Sequence, residues 1–319
     1  MSLQTRSRVV TVVVNPRSGR GRANRVIPAV TREISQAMPD AEVRVIRTRD
    51  YRDARERTRA VAAAAPVPLP GQQPDVLVMV GGDGMASLGL NACAGSHVQL
   101  GVVPAGTGDD FARGVGVPRD PLAAARAIAS GRSRRIDLTL ARGLIADGSD
   151  RRHVGSVVSS GYDAKVNHRV NHARLNLGSA SYASAVLTEI AELKPLDYRL
   201  DIDGERLEMP AVLVAIGNAG YVGGGIHLCP RADPADGLLD LTIIGPVGRW
   251  TLIRLFPLLF RGKFVDHPAI SYARAREVVL DGEGLVPMAD GEELGSVPLH
   301  LSCVPRALEV LVGDGEFDD

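Results

Sequence analysis

Apolar positions in the first third of the chain form short runs that alternate with helical patterns. The β-branched run Val9–Val14 ends at the turn-forming segment Asn15–Gly19, as a strand buried on both faces of a parallel sheet does. Strands that alternate with helices indicate an α/β domain whose parallel sheet is covered on both faces. The remaining elements predicted here are strands over Val43–Ile46, Asp75–Val80 and Leu100–Val103, and helices up to Met38, over Tyr51–Ala65 and after Gly84.

From about Asp137 onward, apolar and polar positions alternate, which is typical of antiparallel strands. Helices near Ser179–Leu193 and Arg249–Phe264 interrupt a pattern that predicts a mostly antiparallel β-sandwich or barrel. A boundary near Gly131–Arg135 gives domains over 1–133 and 134–319, and the last strand, about 305–319, is expected to return to the first domain. The predicted strands are Leu138–Leu140, Val154–Val158, Tyr198–Ile202, Val212–Ile216, Leu238–Ile244, Val278–Leu280 and Leu299–Cys303.

Composition narrows the classes of partner. The 37 basic and 37 acidic side chains cancel, so we expect no nucleic-acid partner, and any anion site must be local. The three cysteines are odd in number and far apart, which fits a reducing compartment and therefore a cytoplasmic protein. No stretch approaches the roughly 18 apolar residues that cross a bilayer, so a membrane would be met from the side.

Three glycine-rich turns follow strands of the first domain: Asn15–Gly19, Gly81–Gly84 and Gly106–Gly108. Glycine lets the backbone approach a phosphate, and successive amides beside a helix N-terminus attract negative charge. One such turn could serve chain geometry alone. Three turns at the carboxyl ends of neighbouring strands indicate a ligand site at that edge of the sheet. The P-loop pattern GxxxxGK[ST] is absent from the sequence.

Six segments in order resemble the bacterial diacylglycerol kinases, which are relatives of the sphingosine and ceramide kinases. The resemblance implies a diacylglycerol kinase catalytic-type domain that binds ATP, a β-sandwich that binds a lipid, and a cleft between them. It further implies transfer of the γ-phosphoryl group of ATP to a lipid hydroxyl, most readily that of diacylglycerol, with Mg²⁺ as cofactor. It also implies peripheral attachment at the inner membrane surface, and a homodimer is one oligomeric state it allows. The segments are Val12–Gly21, Val80–Gly84, Val103–Arg113, Ser160–Val166, Gly217–Leu241 and Ala289–Pro298.

Matched position by position, the family assigns roles to residues of this chain. Glu292 corresponds to the general base, Asp290 would orient it or bind metal through water, and Asp83 is the rival base or a magnesium contact. Asp110 and Asp163 would contact the lipid substrate. Mg²⁺ would be held by Asp233, Asp236 and the carbonyl of Leu238. ATP would be contacted by Asn15, Pro16, Arg17, Ser18, Gly19, Thr48, Gly81, Gly82, Asp83, Gly84, Met85, Ser87, Gly106, Thr107 and Gly108.

The chain departs from the family pattern beside the expected phosphates. Met85 stands where threonine is usual, Ser87 and Leu88 replace asparagine and glutamate, and Asp109 replaces asparagine. These departures keep open a catalytically weak regulator that binds ATP or lipid. An NAD kinase-like enzyme is the other alternative, because it shares the GGDG turn and a two-domain plan.

Two further segments have two interpretations each. On a helical wheel, Trp250–Phe264 gathers aromatic side chains on one face with two arginines beside it, which favours a membrane-surface helix. An ordinary core helix kinked at Pro257 is the alternative. A second Asp-Gly-Glu, Asp281–Glu283, duplicates the motif around Glu292, and we expect it to form a hairpin turn.

Overall fold

The computed structural model describes residues 6–161, 195–248, 250, 251, 254, 258 and 266–313. The chain divides into two compact units. Unit 1 comprises Met1–Leu138 and Pro305–Asp319, and unit 2 comprises Thr139–Val304. The helix predicted at Ser179–Leu193 lies outside the described residues, as do Asp163 and most of the segment Trp250–Phe264.

Unit 1 is built on a parallel sheet in the order β2–β1–β3–β4, with the end of β18 beside β4. Every residue of β1, β3 and β4 is buried, which explains why these strands are mostly apolar, with Thr11 and Gln99 as the polar exceptions. Strand β2 at the edge exposes charged residues. The strands are β1 Val9–Val14, β2 Glu42–Arg47, β3 Val76–Gly81, β4 Gln99–Pro104 and β18 Leu299–Leu311, which begins in unit 2. The helices are α1 Arg22–Ala37, α2 Tyr51–Ala64, α3 Asp83–Cys93, α4 Asp110–Gly114 and α5 Pro121–Ser130, and a 3₁₀ turn covers Ser18–Gly21.

Unit 2 contains two antiparallel sheets whose facing side chains form one core. One sheet has the order β14–β13–β10–β7–β16–β17, and in the other β18, β15, β8 and β9 are neighbours. Tyr198 joins the sheets, because its buried hydroxyl donates a hydrogen bond to the carbonyl oxygen of Ser160 at 2.7 Å. The strands are β5 Ser133–Arg142 (which begins in unit 1), β6 Arg151–Val154, β7 Val157–Gly161, β8 Leu196–Ile202, β9 Glu205–Ala211, β10 Leu213–Gly217, β11 Tyr221–Val222, β12 Ile226–His227, β13 Leu239–Ile244, β14 Ile270–Ala275, β15 Glu277–Asp281, β16 Pro287–Ala289 and β17 Glu292–Glu293.

The predicted fold class, an α/β domain followed by a mostly antiparallel sandwich, is confirmed, but two local predictions are wrong. The segment predicted as one strand, Val154–Val158, is divided between β6 and β7. The segment Asp281–Glu283 is not a hairpin turn, because β15 pairs with β8 and β18 whereas β16 pairs with β7 and β17. This segment instead carries the chain from one sheet of unit 2 to the other.

Candidate functional site

The three glycine turns of unit 1 touch one another through their backbones. A methyl group added to Gly19 would lie 1.9 Å from the carbonyl oxygen of Ala105, and one added to Gly106 would lie 2.4 Å from Cα of Gly82. The amide of Ala105 also donates a hydrogen bond to the carbonyl oxygen of Gly81 at 2.9 Å. Only residues without a Cβ allow these approaches. The turns after β1, β3 and β4 therefore form one continuous surface at the carboxyl edge of the sheet.

Local hydrogen bonds fix the first turn. The amide of Arg17 donates to Oδ1 of Asn15, and the amide of Ser18 donates to the carbonyl oxygen of Asn15, both at 3.0 Å. The side chain of Thr48 is buried at the adjoining end of β2, and its hydroxyl donates to the carbonyl oxygen of Val14 at 3.1 Å. Asn15 and Thr48 thus hold the end of β1 and the turn that follows it. Pro16 lies half-buried in this turn.

Helix α3 begins at the second turn, where Asp83 occupies its first position. Oδ1 of Asp83 accepts a hydrogen bond from the amide of Phe111 at 3.1 Å, which ties the second turn to α4. Gly84 follows in the same helical turn, and a methyl group added to it would lie 3.9 Å from the ring of Tyr51. Tyr51 is 41% exposed at the start of α2, so an aromatic ring stands beside the candidate nucleotide site.

The third turn is held by Asp109, which has a left-handed backbone with φ of 55° and stands at the position just before α4. Its Oδ1 accepts a hydrogen bond from the amide of Gly106 at 3.1 Å. Burial raises the pKa of Asp109, although the hydrogen bond from Gly106 acts in the opposite direction. Thr107 is exposed, Gly108 is half-buried beside it, and Asp110 is buried in the first turn of α4.

In unit 2, Asp290 and Gly291 form the two-residue turn between β16 and β17. Their φ values are 52° and 79°, which is the left-handed geometry that favours Asp-Gly in a tight hairpin. The Asp290 side chain is only 4% exposed, with Oδ1 accepting from the hydroxyl of Ser156 at 2.9 Å and Oδ2 lying 3.6 Å from the guanidinium of Arg152. Glu292, immediately after the turn, is exposed. Asp290 therefore fixes the hairpin, and Glu292 presents a carboxylate to solvent.

The acidic turn, defined here as Asp233–Leu238, is stabilised by its own carboxylates. Asp233 Oδ1 accepts from the amide of Ala235, and Asp236 Oδ1 accepts from the amide of Leu238, both at 3.0 Å. The guanidinium of Arg274 contacts the other oxygen of Asp236. No cluster of three or more His, Cys, Asp or Glu side chains suited to a metal occurs in the described part of the chain. Two carboxylates and a carbonyl on a tight turn are nevertheless the hard oxygen donors that Mg²⁺ takes together with water, so this donor set fits the ion once Arg274 leaves Asp236.

Comparison with known proteins assigns both halves of the chain. Residues 9–141 match the diacylglycerol kinase catalytic domain, and residues 156–312 match the YegS C-terminal NAD kinase beta sandwich-like domain. A curated diacylglycerol kinase of Mycobacterium tuberculosis is 37% identical over 305 residues, which cover 95% of this chain and 94% of that protein. The chain belongs to the diacylglycerol kinase family of lipid kinases. The resemblance noted from the six sequence segments is confirmed.

Relatives of lower identity match this lipid kinase over nearly its whole length, either in sequence or in structure. A diacylglycerol kinase of Bacillus subtilis is 27% identical over 309 residues, covering 94% of this chain and 95% of that protein. A crystal structure of a diacylglycerol kinase from Bacillus anthracis str. Sterne covers 97% of each chain with a TM-score of 0.71 and 20% identity. Yeast NADH kinase, solved in complex with NADH, matches with a TM-score of 0.53 and 12% identity, covering 99% of this chain and 85% of that chain. At these identities the two structures show a common fold.

The departures of this lipid kinase from the family pattern lie inside unit 1. Met85, Ser87 and Leu88 are 4%, 2% and 8% exposed. A methyl group added to Gly81 would lie 2.6 Å from Cγ of Met85, so this side chain packs under the second turn. Met85 therefore changes the packing beneath the second turn, and Ser87 and Leu88 are buried in the same helix.

Three residues of the lipid kinase matter more in the structure than the sequence indicates. Tyr51 lies beside Gly84, and Arg274 contacts Asp236, although neither stands in a motif. Asp240, on β13 directly after the acidic turn, is 4% exposed; burial and the neighbouring charge of Asp233 raise its pKa to about 6. The clue to Asp240 in the sequence is a carboxylate within an apolar strand.

Proposed function

We propose that this lipid kinase transfers the γ-phosphoryl group of ATP to the hydroxyl of diacylglycerol and so produces phosphatidic acid. The observation that carries the proposal is the backbone contact among the three glycine turns of unit 1. It is supported by the 37% identity to the curated diacylglycerol kinase of Mycobacterium tuberculosis. Phosphoryl transfer needs mainly positioning and neutralisation of charge, and the glycines of such a surface let phosphates approach the backbone closely.

In this proposal the nucleotide phosphates lie along the turns after β1, β3 and β4, with the N-terminus of α3 directed at them. Asp83 supports this arrangement because its carboxylate accepts a hydrogen bond from the amide of Phe111. This bond fixes the second turn against α4. The ring of Tyr51 stands beside Gly84, where it would contact the nucleotide. Mg²⁺ that arrives with ATP would neutralise phosphate charge. Asp233, Asp236 and the carbonyl of Leu238 are the residues that would hold a separate Mg²⁺ in unit 2.

Glu292 acts as the general base in this scheme. Its carboxylate takes the proton of the diacylglycerol hydroxyl as that oxygen attacks the γ-phosphorus, and ADP leaves with the bridging oxygen. Asp290 does not touch the reacting atoms, because its carboxylate faces Ser156 and Arg152 and holds the hairpin. Asp83 is the weaker candidate for the base, since one of its oxygens already accepts the amide of Phe111.

An acceptor panel tests the substrate. The purified full chain is incubated with labelled ATP, Mg²⁺ and mixed vesicles that contain diacylglycerol, phosphatidylglycerol, a sphingoid base or a polyprenol at equal surface concentration, and separately with NAD. We expect kcat/KM for diacylglycerol to exceed that for every other acceptor by at least about tenfold, because a site built around one acceptor loses contacts with the others. A higher value for another lipid would reassign the acceptor, and efficient labelling of NAD would favour the NAD kinase alternative.

Access to the lipid is proposed to involve Trp250. Its side chain is 71% exposed, and Arg254 is exposed four residues later, whereas Leu258 packs against a core cluster of unit 2. Aromatic residues with neighbouring cations are characteristic of membrane-surface segments. No helix in the described ranges is long and apolar enough to cross a bilayer. A peripheral attachment at the inner, cytoplasmic membrane surface is the arrangement we propose.

Substitution of Trp250 by serine is expected to weaken binding to anionic vesicles by about tenfold, because burying one large apolar side chain contributes roughly 1.5–3 kcal/mol. Activity on a short-chain, water-soluble diacylglycerol should be retained. The matched control is Leu144→Ser, since Leu144 is also exposed, at 78%. Sedimentation with vesicles measures the binding. Equal loss in both variants, or unchanged binding of Trp250→Ser, would contradict the membrane contact.

Replacement of Asp109 by asparagine, the usual residue of the family, is expected to stabilise the protein and to improve ATP binding. Oδ1 of asparagine can still accept the amide of Gly106, while the buried charge near the candidate phosphate surface is removed. Because the pKa of Asp109 is raised in the folded state, the charged form destabilises that state above this pKa. The gain in Tm should therefore be present at neutral pH and shrink as the pH falls through the raised value. An unchanged KM for ATP and a pH-independent difference in Tm would contradict this interpretation.

A further inference from the structure

Arg274 lies between two carboxylates of unit 2 that have different surroundings. It is the direct cross-strand partner of Asp240 in the pairing of β13 with β14, so both side chains stand on the same face of the sheet. Its Nε lies 3.6 Å from Oδ1 of Asp240, while its terminal nitrogen contacts Oδ2 of Asp236 in the acidic turn. One guanidinium is therefore shared between a strand and a turn.

The two carboxylates differ in burial and in hydrogen bonding. The Asp236 side chain is 24% exposed, and its Oδ1 accepts the amide of Leu238. The Asp240 side chain is 5% exposed, and among the described residues its buried Oδ2 has no hydrogen-bond partner. A buried carboxylate oxygen without a donor is costly and can accept one more hydrogen bond.

The guanidinium has the geometry to satisfy that oxygen. Its nitrogens form a planar fork that pairs with both oxygens of a carboxylate at once. In the structure the guanidinium of Arg274 contacts Asp236 with one nitrogen and faces Asp240 with another. The distance from its Nε to Oδ1 of Asp240 is long, at 3.6 Å. Arg231 is a second cation near Asp240, but its guanidinium carbon lies 4.3 Å from the centre of the Tyr272 ring, on which it stacks. Movement of Arg274 off Asp236 would allow it to form a bidentate pair with Asp240.

Mg²⁺ and this guanidinium would compete for the same oxygen of Asp236. A magnesium ion binds carboxylate oxygens directly or through water, and a guanidinium on the same oxygen opposes this binding by charge repulsion. We propose that Arg274 is a resident cation that Mg²⁺ displaces from Asp236, and that Asp240 receives the displaced guanidinium. The inference rests on the magnesium role given to the acidic turn in the proposed function. It assigns Arg274 and Asp240 as positioning residues that set the affinity of the turn for Mg²⁺.

Mg²⁺ titration of the full chain without ATP or lipid tests the exchange, with Tm as the readout and ionic strength held constant. A bound ligand raises Tm according to its concentration relative to Kd. Arg274→Met is expected to lower the half-saturating Mg²⁺ concentration about fivefold, the factor for an ion pair of ~1 kcal/mol. Arg276→Met removes an exposed arginine two residues away and should leave this concentration unchanged.

Asp240→Asn separates the exchange from simple competition. If Asp240 receives the guanidinium, this variant should raise the half-saturating Mg²⁺ concentration about fivefold, because Arg274 then remains on Asp236. In the Arg274→Met background the same substitution should have a clearly smaller effect, because no guanidinium remains to be received and only the direct attraction between the Asp240 charge and the ion is lost.

Equal Mg²⁺ dependence of the wild type and Arg274→Met, a purely additive double variant, or no response of Tm to Mg²⁺ in any variant would overturn the inference. These results are independent of the acceptor panel. Failure to label a lipid while the Mg²⁺ midpoints shift as expected would reject the proposed substrate and leave the cation exchange standing.

Discussion

Replacement of Glu292 by glutamine is expected to lower kcat for lipid phosphorylation by about 10²–10⁴-fold, the usual contribution of a general base. Glutamine has nearly the same shape as glutamate but cannot take the proton of the acceptor hydroxyl. Glu292 is exposed on β17, so the substitution removes no buried contact and should leave folding and ATP affinity nearly unchanged. Steady-state kinetics with diacylglycerol, together with ATP binding by calorimetry, measure the two effects separately.

The adjacent Glu293 provides the matched control. It is also exposed and also belongs to β17, but successive residues of a strand point to opposite faces. Glu293→Gln should therefore retain wild-type kcat while carrying the same change in net charge. If Glu292→Gln kept more than about a tenth of the wild-type kcat, the loss would be too small for a general base, and the role would move to Asp83.

Substitution of Gly19 by alanine is expected to abolish ATP binding and to lower the free energy of unfolding by about 2–5 kcal/mol. The added methyl group would lie 1.9 Å from the carbonyl oxygen of Ala105, so the first and third turns must separate. The φ of Gly19 is also 58°, which adds the penalty of a left-handed alanine. Thermal unfolding measures the stability, and equilibrium binding of ATP measures the site.

Gly21 distinguishes backbone strain from loss of the contact between the turns. It has a φ of 85°, but a methyl group added to it would meet no atom within 4 Å. Gly21→Ala should therefore cost only about 1–2 kcal/mol and keep ATP binding. Equal ATP affinity in Gly19→Ala and the wild type would show that contact between the turns is not required for the nucleotide.

The parallel sheet of unit 1 could be predicted because its signals are local. The strands β1, β3 and β4 are buried at every position, so each appears as a mostly apolar run that leads into a glycine-containing turn. Parallel strands place their carboxyl ends at one edge, and this places the three turns together without knowledge of the packing. The contacts between the turns, such as that of Gly19 with Ala105, depend on the packing of segments that are far apart in the sequence and have no local signal.

The features that could not be predicted depend on strand pairing over long distances. Strand β9, Glu205–Ala211, is largely exposed and charged, and it is a strand because it pairs with β8 along its whole length. The two Asp-Gly-Glu copies are identical in sequence, yet Asp281 ends β15 in an ion pair with Arg199 whereas Asp290 turns a hairpin. The two copies differ in structure because β15 pairs with β8 and β18, whereas β16 pairs with β7 and β17 in the other sheet.

Pairs of side chains on neighbouring strands could not be predicted from the sequence either. Arg274 and Asp240 are far apart in the sequence, and only the register of β13 with β14 makes them neighbours. The sequence shows an acidic turn and an arginine within a strand, with no local pattern that connects them. The ion pair between Arg274 and Asp236 is therefore seen only in the structure.

The proposed reaction can be followed directly as transfer of the γ-phosphate of labelled ATP into diacylglycerol vesicles. Wild-type protein should produce labelled phosphatidic acid in a reaction that requires Mg²⁺, Glu293→Gln should match it, and Glu292→Gln and Gly19→Ala should each produce little. Absence of labelled lipid with the wild-type protein under these conditions would contradict the proposed phosphoryl transfer, and phosphatidic acid formed equally by Glu292→Gln would contradict the role of Glu292.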